Sequence, residues 1–97
     1  MTVYSNAFYH YRPILMQLVL YTTEYCQLCE KAQSLIYSEC EGFDYELKLI
    51  DISDSDELMA RYAIRIPVLA MVGSPVELDW PFDAESLLEY IKKLRLA

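Results

Sequence analysis

ILMQLVLYTTEYCQLCEKA, residues 14–32, changes its hydrophobic period half-way along, and the fold turns on that change. Ile14 to Tyr21 is a short, nearly unbroken apolar run, the pattern of a strand buried on both faces. Thr22 and Thr23 interrupt it. From Cys26 onward Leu28, Ala32, Leu35 and Ile36 recur at i, i+4, i+7 and i+8, the stripe of an amphipathic helix. Gly42 ends this element, where glycine commonly closes a helix. A buried strand thus feeds a helix, and Cys26 and Cys29 stand at the junction.

The rest of the chain extends the alternation. In YELKLID (45–51) Tyr45, Leu47 and Leu49 alternate with Glu46 and Lys48, the period of a strand with one wet face. SDSDELMARYA (53–63) opens with capping residues, Asp54 standing three before Glu57, and reads as a second helix. PVLAMV (67–72) is a further buried strand. Gly73-Ser74 predicts a tight turn into PVELDW (75–80), an edge strand that starts with Pro75. The last helix starts near Asp83, buries Leu87, Leu88, Ile91 and Leu94, and ends among Lys92, Lys93 and Arg95, which suit the negative helix end. The order is βαβαββα. Strand–helix–strand units favour parallel pairing and the closing hairpin adds antiparallel strands, so the expectation is an α/β sandwich with a mixed four-stranded sheet.

Ninety-seven residues make one domain, and an apolar fraction of 55% is ample for a core. Residues 14–97 form that domain, and residues 1–13, rich in tyrosine but without helical or strand period, form an extension. Eight basic against 15 acidic residues give a net charge of −7, which lacks the basic footprint that nucleic acid or anionic lipid requires. No apolar run approaches the roughly 20 residues of a membrane span. The N-terminus has no basic segment leading into an apolar one, and three cysteines without an export signal suggest a reducing compartment, so a cytoplasmic location is expected; the chain is expected to act as a monomer. His10, the one histidine, has no companion ligand and receives no metal or catalytic role.

Two cysteines three apart can exchange a disulfide, hold half of a metal site, or sit reduced in a helix. At a helix N-terminus the unpaired N–H groups and the dipole stabilise a thiolate, which makes Cys26 the candidate nucleophile. Cys29, one turn deeper on the same face, is placed to resolve a mixed disulfide. Glu24 and Glu30 oppose the thiolate and Lys31 partly offsets them. Cys40 lies eleven residues beyond Cys29, roughly 16 Å away along one helix, too far for a bond that needs Cα atoms within about 7 Å. It reads as a small, partly buried residue or a spare surface thiol. A zinc site would need two chains sharing their pairs, so no metal is assigned.

LYTTEYCQLCEKA (20–32), RIPVLAM (65–71) and LDWPFDAESL (78–87) together resemble the glutaredoxin branch of the thioredoxin superfamily, in particular small glutaredoxin-like proteins of bacteria. The resemblance runs from about Met16 to the C-terminus. It implies a thioredoxin-like, glutaredoxin-type fold and thiol–disulfide exchange at Cys26 and Cys29 with a protein disulfide or small thiol. It also implies a cis bond before Pro67, with Ile66 pairing its backbone to an extended substrate, and Tyr25 and Arg65 beside that substrate. Three features depart from the family pattern. Gln27-Leu28 replace Pro-Tyr between the cysteines, Glu24 replaces a basic residue, and WPFD (80–83) stands where a Gly-Gly-Asp-type turn holds glutathione. No bound cofactor is expected, and glutathione stays open as a reductant although the residues that hold it are replaced. The other reading is a non-catalytic thioredoxin-fold binding module whose Cys-x-x-Cys is inert or shares a metal between chains.

Overall fold

The computed structural model describes residues 15–96; residues 1–14, with the extension and His10, lie outside the described residues. The chain runs β1 (Met16–Thr22), α1 (Gln27–Glu39), β2 (Tyr45–Asp51), a 3₁₀ turn (Ile52–Asp54), α2 (Asp56–Tyr62), β3 (Val68–Met71), β4 (Glu77–Asp79) and α3 (Ala84–Leu96). Sheet order is β2-β1-β3-β4. β1 and β2 are parallel with Leu18 opposite Leu47, while β3 runs antiparallel to both β1 and β4. The βαβαββα order and the mixed four-stranded sheet agree with the sequence reading.

The two faces of the sheet are covered unequally. On one, Met16, Leu18 and Leu20 pack with Ala32 and Ile36 of α1 and Leu87 and Ile91 of α3. Each fully buried aliphatic side chain there contributes about 1.5–3 kcal/mol. The other face has, among the described residues, the 3₁₀ turn and the seven-residue α2, whose Ile52 and Tyr62 pack on Val68. Tyr21 stacks on Tyr62 with centroids 4.0 Å apart. β1 is therefore not buried on both faces as its apolar run suggests: Gln17 is exposed, and Val19 and Tyr21 are half-buried.

Other expectations shift for local reasons. The core face of α1 is Cys29, Ala32 and Ile36; with Cys29 turned inward, Leu28 is rotated about 100° out and is 45% exposed. α1 closes at Cys40 rather than through Gly42, Phe43 N–H donating to the Cys40 carbonyl at 2.9 Å. Ser55, not Asp54, caps α2: its Oγ accepts the Leu58 N–H at 3.2 Å. The β3–β4 connection is longer than two residues. Ser74 N–H donates to the Met71 carbonyl at 3.0 Å with Gly73 at φ +91°, a turn that needs glycine at its third position. Pro75, having no N–H for a ladder, stays in the loop. The Tyr90 hydroxyl donates to the Val76 carbonyl at 2.7 Å and ties that loop to α3.

Candidate active site

Cys26 is the N-cap of α1. Its backbone is extended (φ −105°, ψ 104°) and its Sγ accepts the N–H of Cys29 at 3.1 Å. A serine or aspartate oxygen ordinarily fills that position; here a sulfur does. Cys26 and Cys29 are joined as a disulfide with Cα atoms 5.2 Å apart, inside the usual 4.4–6.8 Å range. Cys26 is half-buried and Cys29 only 3% exposed, so an outside molecule reaches Cys26 first. Cys40 is free and fully buried, and burial, reinforced by the Glu39 charge, pushes its thiol up to about 11.

The disulfide opens into a cleft of about 250 Å³. The loop from β1 supplies Thr22, Thr23, Glu24 and Tyr25; α1 adds Glu30 and Gln33; β2 adds Leu49 and Asp51. Sequence reasoning placed Leu49 on the inward face of its strand, yet it is 44% exposed. β2 is an edge strand, and its last inward positions reach the end of the sheet where α1 begins, so Leu49 faces the cleft. That geometry was the available signal: parallel strands present their carboxyl ends to a ligand crevice. Asp51 accepts hydrogen bonds from the Ser53 N–H (2.9 Å) and Oγ (2.7 Å), which hold its carboxyl below the usual range. Lys31 lines a second depression on the flank of α1 with Gln27 and Ser34, which meets the cleft at Glu30.

Tyr25 adopts φ +58° and is 97% exposed. A side chain in that left-handed region costs roughly 1–2 kcal/mol, and the turn so formed delivers Cys26 to the helix start with the ring standing outward. The Ile66–Pro67 bond is cis, as the resemblance implies, and so is Trp80–Pro81. Val68 pairs with Tyr21, so the turn through Arg65, Ile66 and Pro67 leaves the same end of the sheet as the Cys26 loop. Pro67 is fully buried. The Ile66 N–H donates to the Tyr62 carbonyl at 3.1 Å. The Arg65 guanidinium donates to Asp79 at 3.1 and 2.7 Å and to Glu77 at 2.8 Å, so its charge is compensated on β4. Thus Tyr25, Cys26 and Cys29 share one cleft, whereas Arg65, Ile66 and Pro67 form a neighbouring turn. Asp83 caps α3, its Oδ1 accepting the Ser86 N–H and hydroxyl at 2.8 Å each, and Phe82 is buried in the core with Trp80 against it.

The pattern of the glutaredoxin-like domain family (DUF836) matches residues 17–92. The chain belongs to that family. A target protein from X. campestris, XcR50, is 32% identical in its X-ray structure; the match covers 78% of this chain and 96% of that one with a TM-score of 0.67. Protein Ne2328 from Nitrosomonas europaea, solved by NMR, is 29% identical over 81% of this chain and 94% of its own, with a TM-score of 0.70. At the level of fold alone, a glutaredoxin from Brucella melitensis matches with 20% identity over 87% of each chain, at a TM-score of 0.50. No curated protein matches the chain at a significant level. This glutaredoxin-like chain therefore has the thioredoxin-like fold with a Cys-x-x-Cys pair at disulfide distance. Among the described residues no helix is long and apolar enough to cross a membrane.

Proposed function

We propose that this glutaredoxin-like chain is a cytoplasmic thiol–disulfide oxidoreductase. The observation that carries the reading is Cys26 at the N-cap of α1, half-exposed and bonded to a buried Cys29. In the dithiol form the Cys26 thiolate attacks one sulfur of a substrate disulfide. An S–S bond forms between Cys26 and the substrate, and the other substrate sulfur leaves as a thiolate that takes up a proton. Cys29 then loses its proton and attacks the Cys26 sulfur, releasing the second substrate thiol and closing the Cys26–Cys29 disulfide. The substrate gains two electrons and two protons, and a thiol donor restores the pair. Glu24, Glu30 and Asp51 oppose the thiolate that the helix end and the Cys29 N–H favour. That suits a mild dithiol better than a strong oxidant. Ile66 has its N–H turned to Tyr62, which leaves its carbonyl as the group that pairs with an extended substrate.

The test is a redox titration in graded glutathione buffers with alkylation and mass readout, joined to two substitutions. A reversible two-electron transition, loss of disulfide reduction in Cys26→Ser and accumulation of mixed disulfides in Cys29→Ser are expected. Equal reduction rates in wild type and Cys26→Ser defeat the reading. Stoichiometric metal that is lost in Cys29→Ser supports the binding-module alternative.

A further inference from the structure

The Cys26 cleft carries charge of one sign. Glu24, Glu30 and Asp51 line it, and no lysine, arginine or histidine does among the described residues. The arginines are committed on β4, Arg65 hydrogen-bonded to Asp79 and Glu77 and Arg61 3.9 Å from Glu77, while Lys31 lines an adjoining depression that meets the cleft only at Glu30. Apolar groups also stand open at the same mouth, Tyr25 at 97% and Leu49 at 44% exposure. Tyr25 is held outward by its backbone (φ +58°), so its ring loses little freedom when covered.

On the oxidoreductase reading, we propose that the substrate is a disulfide within a polypeptide segment that places a basic residue beside its cysteine and an apolar residue against Tyr25 and Leu49. Glutathione disulfide, which carries more carboxylates than ammonium groups, is the wrong partner for this cleft. Like charges facing the carboxylates repel it, whereas a lysine or arginine next to the substrate sulfur enters a cleft lined by three carboxylates. Charge complementarity of this kind acts mainly on encounter and is screened by salt, with a Debye length of about 8 Å at physiological ionic strength. Opposed charge at a cleft changes on-rates by about 10–10³-fold. The exchange itself is unchanged: the Cys26–substrate bond forms as the substrate S–S bond breaks.

The experiment uses the reduced full chain and four disulfides. They are hydroxyethyl disulfide as a neutral reference, glutathione disulfide, and two peptide disulfides identical except for lysine or glutamate beside the cysteine. The lysine peptide is expected to be reduced at least about tenfold faster than the glutamate peptide at low salt, with the ratio collapsing in 0.5 M salt. In Glu24→Gln/Glu30→Gln the ratio falls and the glutathione disulfide rate rises; in Tyr25→Ala both peptides slow by a larger factor than hydroxyethyl disulfide does. Equal peptide rates with hydroxyethyl disulfide still reduced overturn the substrate inference and leave the exchange reading standing. Failure to reduce any of the four, hydroxyethyl disulfide included, overturns both.

Discussion

Cys26, Cys29 and Cys40 all sit on or at the ends of α1, and their surroundings separate their chemistry: one sulfur faces a cleft, one is bonded beneath it, and one is enclosed by the core. Cys40 gives a prediction with a definite sign. Its folded thiol is raised from the usual 9.0 to about 11 by burial. Over that interval the unfolded chain loses the proton first, so the stability tied to Cys40 is complete below pH 9 and declines as pH rises towards 11. Urea unfolding of the wild type is expected to lose about 2 kcal/mol between pH 8 and pH 11 on this account, at 1.36 kcal/mol per pH unit. Cys40→Ala is expected to be weaker at pH 8, by about 1 kcal/mol for the lost packing, but flatter in that window. Equal slopes would refute the assignment. At this same scale, reading the sequence succeeded where a side chain answers to its immediate neighbours, as with Asp83 at the start of α3; it left Cys40, which the fold encloses, open between a partly buried residue and a surface thiol. It missed Leu28 and Leu49, because helical or strand period says which residues share a face but not where that face meets the edge of the core.

Caps and turns decide where the elements end. Asp83 satisfies the Ser86 N–H at the start of α3, and those hydrogen bonds hold its carboxyl below the usual range. Asp83→Ala is expected to lower the urea midpoint at pH 7, with Asp83→Asn recovering most of the loss. No loss would mean that α3 is fixed by Leu87, Tyr90 and Ile91 alone. Element order and type were legible because each stretch has a clean period: apolar in β1 and β3, alternating in β2, striped in α1 and α3. The boundaries were not. Asp54 and Ser55 are both good caps, and only the tertiary position of Ile52 in the small core places a 3₁₀ turn before α2.

Across the molecule, the thinly covered sheet face is bound to the β4 edge by a polar cluster. The Tyr62 hydroxyl donates to Glu77, Arg65 holds Glu77 and Asp79, and both Arg61 and Arg65 lie over the Tyr62 ring, at 5.3 and 5.2 Å. Partial burial works to raise Glu77, but the hydrogen bonds from Tyr62 and Arg65 outweigh it; Arg65 likewise lowers Asp79. Both carboxylates therefore stabilise the fold above their unfolded values of 4.5 and 3.8, and that stability is lost as pH falls through the lower folded values. Arg65→Met is expected to remove about 1 kcal/mol at pH 7, a modest figure because the cluster is partly solvated, and to flatten the acid limb between pH 5 and 3. An unchanged acid limb would show that the cluster does not couple to folding. None of this network was visible in the sequence, since it joins α2 to β4 across a pairing that only the assembled sheet defines.

Cys26 is both the cap of a helix and the atom that changes oxidation state. Folding and electron transfer therefore share a closed thermodynamic cycle. The amount by which reduction of the pair changes the stability of the chain equals the amount by which folding shifts its midpoint potential, about 30 mV for each 1.4 kcal/mol. If the α1 terminus favours the thiolate, the reduced protein is the more stable one and folding raises the potential by the matching amount; if the three carboxylates prevail, both change in the opposite direction. A calorimeter comparing the two oxidation states reads the same quantity as an electrode.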